Sequence, residues 1–114
     1  MLVDDEIDII ALFTEVLKMN GINARPFTNP EEALEEFEQN HASYNLVISD
    51  VRMTPISGLE FIKRLREIDS SIKVILMTAF EIEGNQLKEI HTDEFFNKPI
   101  KMNDLVQIVK KYVS

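Results

Sequence analysis

Short apolar runs alternate along this chain with longer stretches in which apolar residues recur every three or four positions. Leu2-Val3 is the first run and is very short. Ile9, Leu12, Phe13, Val16 and Leu17 then recur at helical spacing, and Asn20-Gly21 is a stop signal for that helix. Ile22 to Phe27 predicts a second strand. Pro26 has no N–H to give to a ladder, so this strand belongs at a sheet edge. Asn29-Pro30-Glu31-Glu32 opens a second helix, with Asn29 as the cap, Pro30 at the first helical position and Glu32 in place for a capping box.

Leu46-Val47-Ile48 predicts a third strand that ends at Ser49-Asp50. It is apolar without alternation, the pattern of a strand covered on both faces. After a loop with Pro55 and Gly58, Phe61, Ile62, Leu65 and Ile68 mark the inward side of a third helix. Val74 to Met77 is a fourth strand ending at Thr78-Ala79. A short helix with Leu87 and Ile90 follows, then a fifth strand at Phe95-Phe96 that ends at Asn97-Lys98-Pro99. Leu105, Ile108, Val109 and Val113 mark the last helix. Five successive strand–helix units predict an α/β fold, a parallel sheet with helices on both faces.

In such a sheet, ligands bind beyond the carboxyl ends of the strands. Those ends carry Asp4-Asp5, Asp50, Thr78 and Lys98. Clustered carboxylates repel one another, and a hard cation relieves the repulsion. Mg²⁺, with Mn²⁺ as a substitute, suits oxygen ligands of this kind. One aspartate is then left to act as a nucleophile toward a phosphoryl group, with Lys98 and Thr78 to balance its charge. Each feature alone is ordinary: Asp-Asp caps helices, and Lys-Pro makes turns. Their joint occurrence at the ends of strands one, three, four and five is not.

With 114 residues the chain has room for one domain, residues 1–114, and one core. It has no cysteine, which excludes disulfides and thiolate metal sites, and its two histidines, His41 and His91, stand far apart. The net charge of −8 opposes direct nucleic-acid binding. The acidic start is unlike a signal peptide and no run is long enough to enter and span a membrane, so the expected location is the cytoplasm.

Over essentially its full length the sequence resembles the receiver domains of two-component response regulators. The motifs that carry the resemblance are Val3-Asp4-Asp5-Glu6, Ile48-Ser49-Asp50-Val51-Arg52-Met53, Ile56-Ser57-Gly58-Leu59-Glu60, Met77-Thr78-Ala79 and Asn97-Lys98-Pro99. The resemblance implies a flavodoxin-like (βα)5 three-layer sandwich with strand order 2-1-3-4-5. It implies that Asp50 is the phosphoacceptor. Asp5, Asp50 and the Arg52 backbone carbonyl would hold Mg²⁺, with Asp4 acting largely through water. Lys98 would contact the phosphoryl oxygens, Thr78 would move toward them, and Phe95 would turn inward as the aromatic switch. Side chains at Arg52 and Phe80 would tune how fast water removes the phosphoryl group. The implied partners are a sensor histidine kinase or phosphotransfer protein, and a downstream protein or an output domain outside this chain. Dimerisation would use the face of the fourth helix, fifth strand and last helix.

The sequence also departs from the family pattern. Thr54 stands where a proline is usual, and Pro55 follows it. The first strand is short, as in a chain that starts further upstream. His91-Thr92-Asp93 replaces the usual Gly-Ala, the stretch from Thr78 to Lys98 is about two residues short, and Phe95 has no hydroxyl. Two other readings compete. An aspartyl-nucleophile phosphohydrolase would carry an acid two residues past Asp50, where this chain has Arg52. A degenerate receiver would have lost key positions, and all five are filled here.

Overall fold

The computed structural model describes residues 1–78, 92–98 and 100–113. The predicted fourth helix, with Leu87 and Ile90, lies outside them, as do Phe80, His91 and the peptide between Lys98 and Pro99.

The strands are β1 (Leu2–Val3), β2 (Pro26–Phe27), β3 (Leu46–Asp50), β4 (Lys73–Thr78) and β5 (Glu94–Asn97). They form one parallel sheet of order β2-β1-β3-β4-β5. The described helices are α1 (Ile7–Met19), α2 (Pro30–Asn40), α3 (Gly58–Ile68) and α4 (Met102–Val113), and a 3₁₀ turn spans His41–Ser43.

Strand side chains point alternately to the two faces, and the core divides accordingly. Val3, Val47, Val74 and Leu76 meet Ala33 and Phe37 of α2 and Phe61, Ile62 and Leu65 of α3. Leu2, Leu46, Ile48, Ile75 and Met77 meet Ile10, Phe13 and Leu17 of α1 and Leu105, Val106 and Val109 of α4. The expected three-layer sandwich is thus present, with two helices on each face among the described residues. β3 is buried along its whole length, as its unalternating apolar run predicts.

Local signals act much as read. The Gly21 N–H donates to Lys18 O at 3.0 Å and the Ile22 N–H to Leu17 O at 2.9 Å, while Gly21 has φ of 77°. This is the left-handed helix ending that glycine takes without a Cβ clash. Asn29 Oδ1 accepts from the Glu31 N–H at 2.8 Å, and Ser57 Oγ accepts from the Glu60 N–H at 3.2 Å to cap α3.

Two expectations need correction. Leu12 is 52% exposed, and Ile10 takes the inward place. Ile10, Phe13 and Leu17 define the buried seam, and Leu12 lies about a quarter turn from Phe13. The second strand pairs only at Pro26–Phe27, because β1 offers just Leu2 and Val3 as partners. Ile22 and Ala24 pack on the core without joining the ladder. The edge position expected from Pro26 holds.

Asp93 stands in the segment that departs from the family pattern, and it anchors β5. Its Oδ2 accepts from the Val74 N–H at 2.8 Å, and its own N–H donates to Val74 O at 3.0 Å. Arg66 and Lys73 lie 3.5 and 3.7 Å from its carboxylate.

The exit of β3 is pinned as tightly. The Val51 N–H donates to Met77 O at 3.0 Å, and Val51 O accepts from the Gly58 N–H at 2.7 Å. A Cβ on Gly58 would stand 2.0 Å from Asp50 O and 2.8 Å from Val51 Cα. Both are backbone atoms and cannot swing aside, so α3 can begin here only with glycine. Gly58→Ala is therefore expected to cost about 2–3 kcal/mol, the upper range for overpacking, read as a lower midpoint in urea unfolding. An unchanged midpoint would show that the β3–α3 loop is looser than this contact implies.

Candidate functional site

Four strand ends bring the predicted polar residues to one edge of the sheet. β1 delivers Asp4 and Asp5, β3 ends on Asp50, β4 ends on Thr78, and Lys98 follows β5 directly. The register explains the convergence. Asp50 pairs with Met77, Thr78 lies one residue further along and pairs with Asn97, and Lys98 comes next. The Lys98 N–H donates to Thr78 O at 2.7 Å, which fixes the lysine backbone at the strand end.

Asp4, Asp50 and Thr78 are buried. Lys98 Nζ donates to Asp4 Oδ2 at 2.7 Å and to Asp50 Oδ2 at 3.1 Å, with its side chain 8% exposed. One ammonium thus bridges two buried carboxylates. Asp4 Oδ1 accepts from the Glu6 N–H at 2.9 Å, an Asx turn that orients the carboxylate as the chain enters α1. Asp5 is exposed at the rim. Carboxylate oxygens of Asp4, Asp5 and Asp50 all lie within 4.8 Å of one another. A donor set made only of carboxylate oxygens fits a hard divalent cation rather than a soft one.

The electrostatics follow from burial. Desolvation is the largest influence on Asp50 and raises its carboxyl above the ordinary carboxylate range. The Asp4 charge adds to this, against the hydrogen bond from Lys98. Burial pulls the Lys98 ammonium down, yet the hydrogen bonds and charges of Asp4 and Asp50 outweigh it and raise the group above the ordinary lysine value.

The remaining predicted positions are spread around this centre. Arg52 is exposed, two residues past Asp50. Phe95 lies in β5 opposite Leu76 and packs, partly buried, against the α2–α3 side of the core. Glu6, which has no predicted role, brings its carboxylate to 3.9 Å from Lys98 Nζ. Its place immediately after Asp4-Asp5 was the available signal. The steric role of Gly58 is not legible in the sequence, because the contact with Asp50 O is made only in the fold.

The family model "Response regulator receiver domain" matches residues 1–110. The chain belongs to this family. It is 32% identical to Sporulation initiation phosphotransferase F of Bacillus subtilis, over 99% of this chain and 91% of that protein. It is 26% identical to the Polar-differentiation response regulator DivK of Brucella anthropi, over 99% and 94%. Against the CpxR homolog of Haemophilus influenzae identity is 30% over 96% of this chain, which spans only 48% of that relative. A CheY-like receiver domain structure from Methanospirillum hungatei superposes with a TM-score of 0.89 at 21% identity, covering 96% of this chain and 88% of that one. At that identity the likeness speaks for the fold alone. As a receiver domain, the chain is a signalling module of two-component systems and not a conventional enzyme.

The bridging lysine leads to paired expectations for the metal-free protein. Asp50 has a raised pKa, so its ionised form weakens the fold increasingly as pH rises through and above the ordinary carboxylate range. Asp50→Asn should therefore melt a few degrees higher at neutral pH, on the order of 2–5 °C. Lys98→Met leaves two buried carboxylates facing each other and should cost about 3 kcal/mol. That loss should shrink as pH is lowered and Asp50 protonates. On the alkaline side the Lys98 contribution is held through the ordinary lysine range and is lost only above its raised pKa. Thermal melts of both variants across pH check this; a Lys98→Met deficit that ignores pH would point to lost packing instead.

Proposed function

We propose that residues 1–114 act as one phosphoacceptor domain, in which Asp50 takes a phosphoryl group from a phosphohistidine on a sensor histidine kinase or phosphotransfer protein. The observation that carries this reading is the buried Asp50 carboxylate at the end of β3, held by Lys98 beside two further aspartates. A carboxylate oxygen of Asp50 attacks phosphorus, the P–N bond breaks, and the histidine nitrogen leaves with the electron pair.

Mg²⁺, or Mn²⁺ in its place, would be held by Asp5, Asp50 and the Arg52 carbonyl, with Asp4 acting through water. Its contribution is positive charge against the phosphoryl oxygens. Lys98 balances charge at the same oxygens, a role supported by the contact of its ammonium with Asp50 Oδ2. Thr78, one residue beyond the level of Asp50, moves to hydrogen-bond the new group, and Phe95 on the neighbouring strand repacks in response. This is a two-state element biased by one added charge. Arg52, and Phe80 outside the described residues, tune the rate at which water removes the phosphoryl group.

The output is a changed protein-binding surface on β5 and α4, with the expected fourth helix outside the described residues, that engages a downstream protein, an output domain outside this chain or a second copy. A beryllofluoride-activated NtrC4 receiver domain, described as a dimer, has the same fold with a TM-score of 0.87 at 21% identity. The net charge of −8 speaks against direct nucleic-acid binding. A cytoplasmic location suits this role, and no helix among the described residues is long and apolar enough to cross a membrane.

Intact mass after incubation with acetyl phosphate tests the assignment. The expected result is a gain of one phosphoryl group that needs Mg²⁺ and is absent in Asp50→Asn. No gain in a folded protein would favour a receiver that binds partners without phosphorylation. Steady turnover of an added phosphomonoester would favour a phosphohydrolase.

A further inference from the structure

Away from the aspartate cluster, a groove runs between α2 and α3 on the other side of the fold from α1 and α4. Its floor is apolar. Leu34 and Ile68 are partly buried there and rest on the core beneath. Its walls are acidic. Glu31, Glu35 and Glu38 line it from α2 and Glu67 from α3, against a single cation, Arg64, which is paired with Glu60 at 3.2 Å.

Glu31, Glu35 and Glu38 recur at helical spacing on one exposed face, so like charges are neighbours along α2. That arrangement weakens an isolated helix, and α2 itself contains no Lys or Arg to offset it. Elsewhere on the same helix the compensation is supplied: Glu36 pairs with Arg25 and accepts from Tyr44. Among the described residues, the three groove glutamates have no ion pair.

We propose that the α2–α3 groove is a docking surface for a basic amphipathic helical segment of a partner protein, with apolar side chains on Leu34 and Ile68 and Lys or Arg side chains against Glu31, Glu35, Glu38 and Glu67. Charge selects this occupant. A second copy of the chain would bring the same acidic walls, and nucleic acid would bring phosphates. No residue of the aspartate cluster lines this groove.

The probe is a synthetic helical peptide with Lys at three positions spaced like the groove glutamates and Leu between them. A second peptide replaces each Leu with Ser at the same charge. Amide chemical shifts of the full chain locate the binding, and titrations compare native protein with Glu35→Lys and with Glu15→Lys. Glu15 is exposed on α1, so the second variant makes the same change in net charge at another site. We expect shifts confined to residues 31–38 and 64–68. Affinity should fall about tenfold or more in Glu35→Lys and less than about twofold in Glu15→Lys, and the Ser peptide should bind much more weakly than the Leu peptide. Thermal melting of Glu35→Lys should match or exceed the native value, since a like-charge neighbour is removed. No binding, shifts elsewhere, equal losses in both variants, or equal binding of both peptides would overturn the proposal.

Discussion

A single ammonium group between two buried carboxylates organises this protein. Lys98 reaches Asp4 and Asp50 from the far end of the chain, at 2.7 and 3.1 Å. Desolvation and the neighbouring Asp4 charge both oppose the ionisation of Asp50. The lysine makes the arrangement tolerable, and it can do so only if β1, β3 and β5 end at one edge in the right register. The site is therefore a constraint on topology as well as a place for chemistry. Both carboxylates share this one partner, so any cation entering the site would compete with Lys98 for them.

The surroundings keep the edge from relaxing. Val51 is tied on one side to Met77 O and on the other to the first residue of α3, and Gly58 brings the helix backbone against Asp50 O. At the opposite end of β4, the Asp93 carboxylate and N–H bind the Val74 backbone and set where β5 begins. Lys98 inherits its position from that anchor. Beneath lies a core divided by the pleat, with α2 and α3 on one face and α1 and α4 on the other. The polar groups have nowhere to withdraw to, because the layers on both sides of the sheet are close-packed and apolar.

The same chain handles like charge in two ways. In the buried site, a lysine offsets the aspartates. On α2, glutamates of the groove stand in water, where screening keeps their repulsion small. The first arrangement suits chemistry at a defined atom; the second suits a surface read by its charge.

Much of this was legible in the sequence. Alternation of apolar runs and helical periods determined the α/β class, because period and burial are tied to the geometry of each element. Pro26 placed β2 at an edge through its missing N–H. Asn29, Pro30 and Gly21 acted locally as their chemistry dictates, and the strand-end positions of Asp4, Asp5, Asp50, Thr78 and Lys98 pointed to one site. What only the tertiary structure decided were relations between distant residues. Periodicity could not say that Ile10 rather than Leu12 faces inward, because the choice rests on which side of α1 meets the sheet. The short pairing of β2 reflects the length of its partner, not its own composition. That Lys98 binds both Asp4 and Asp50, that Glu6 lies beside it, and that Gly58 admits no Cβ are facts of packing between residues far apart in the chain, set by the register of the sheet.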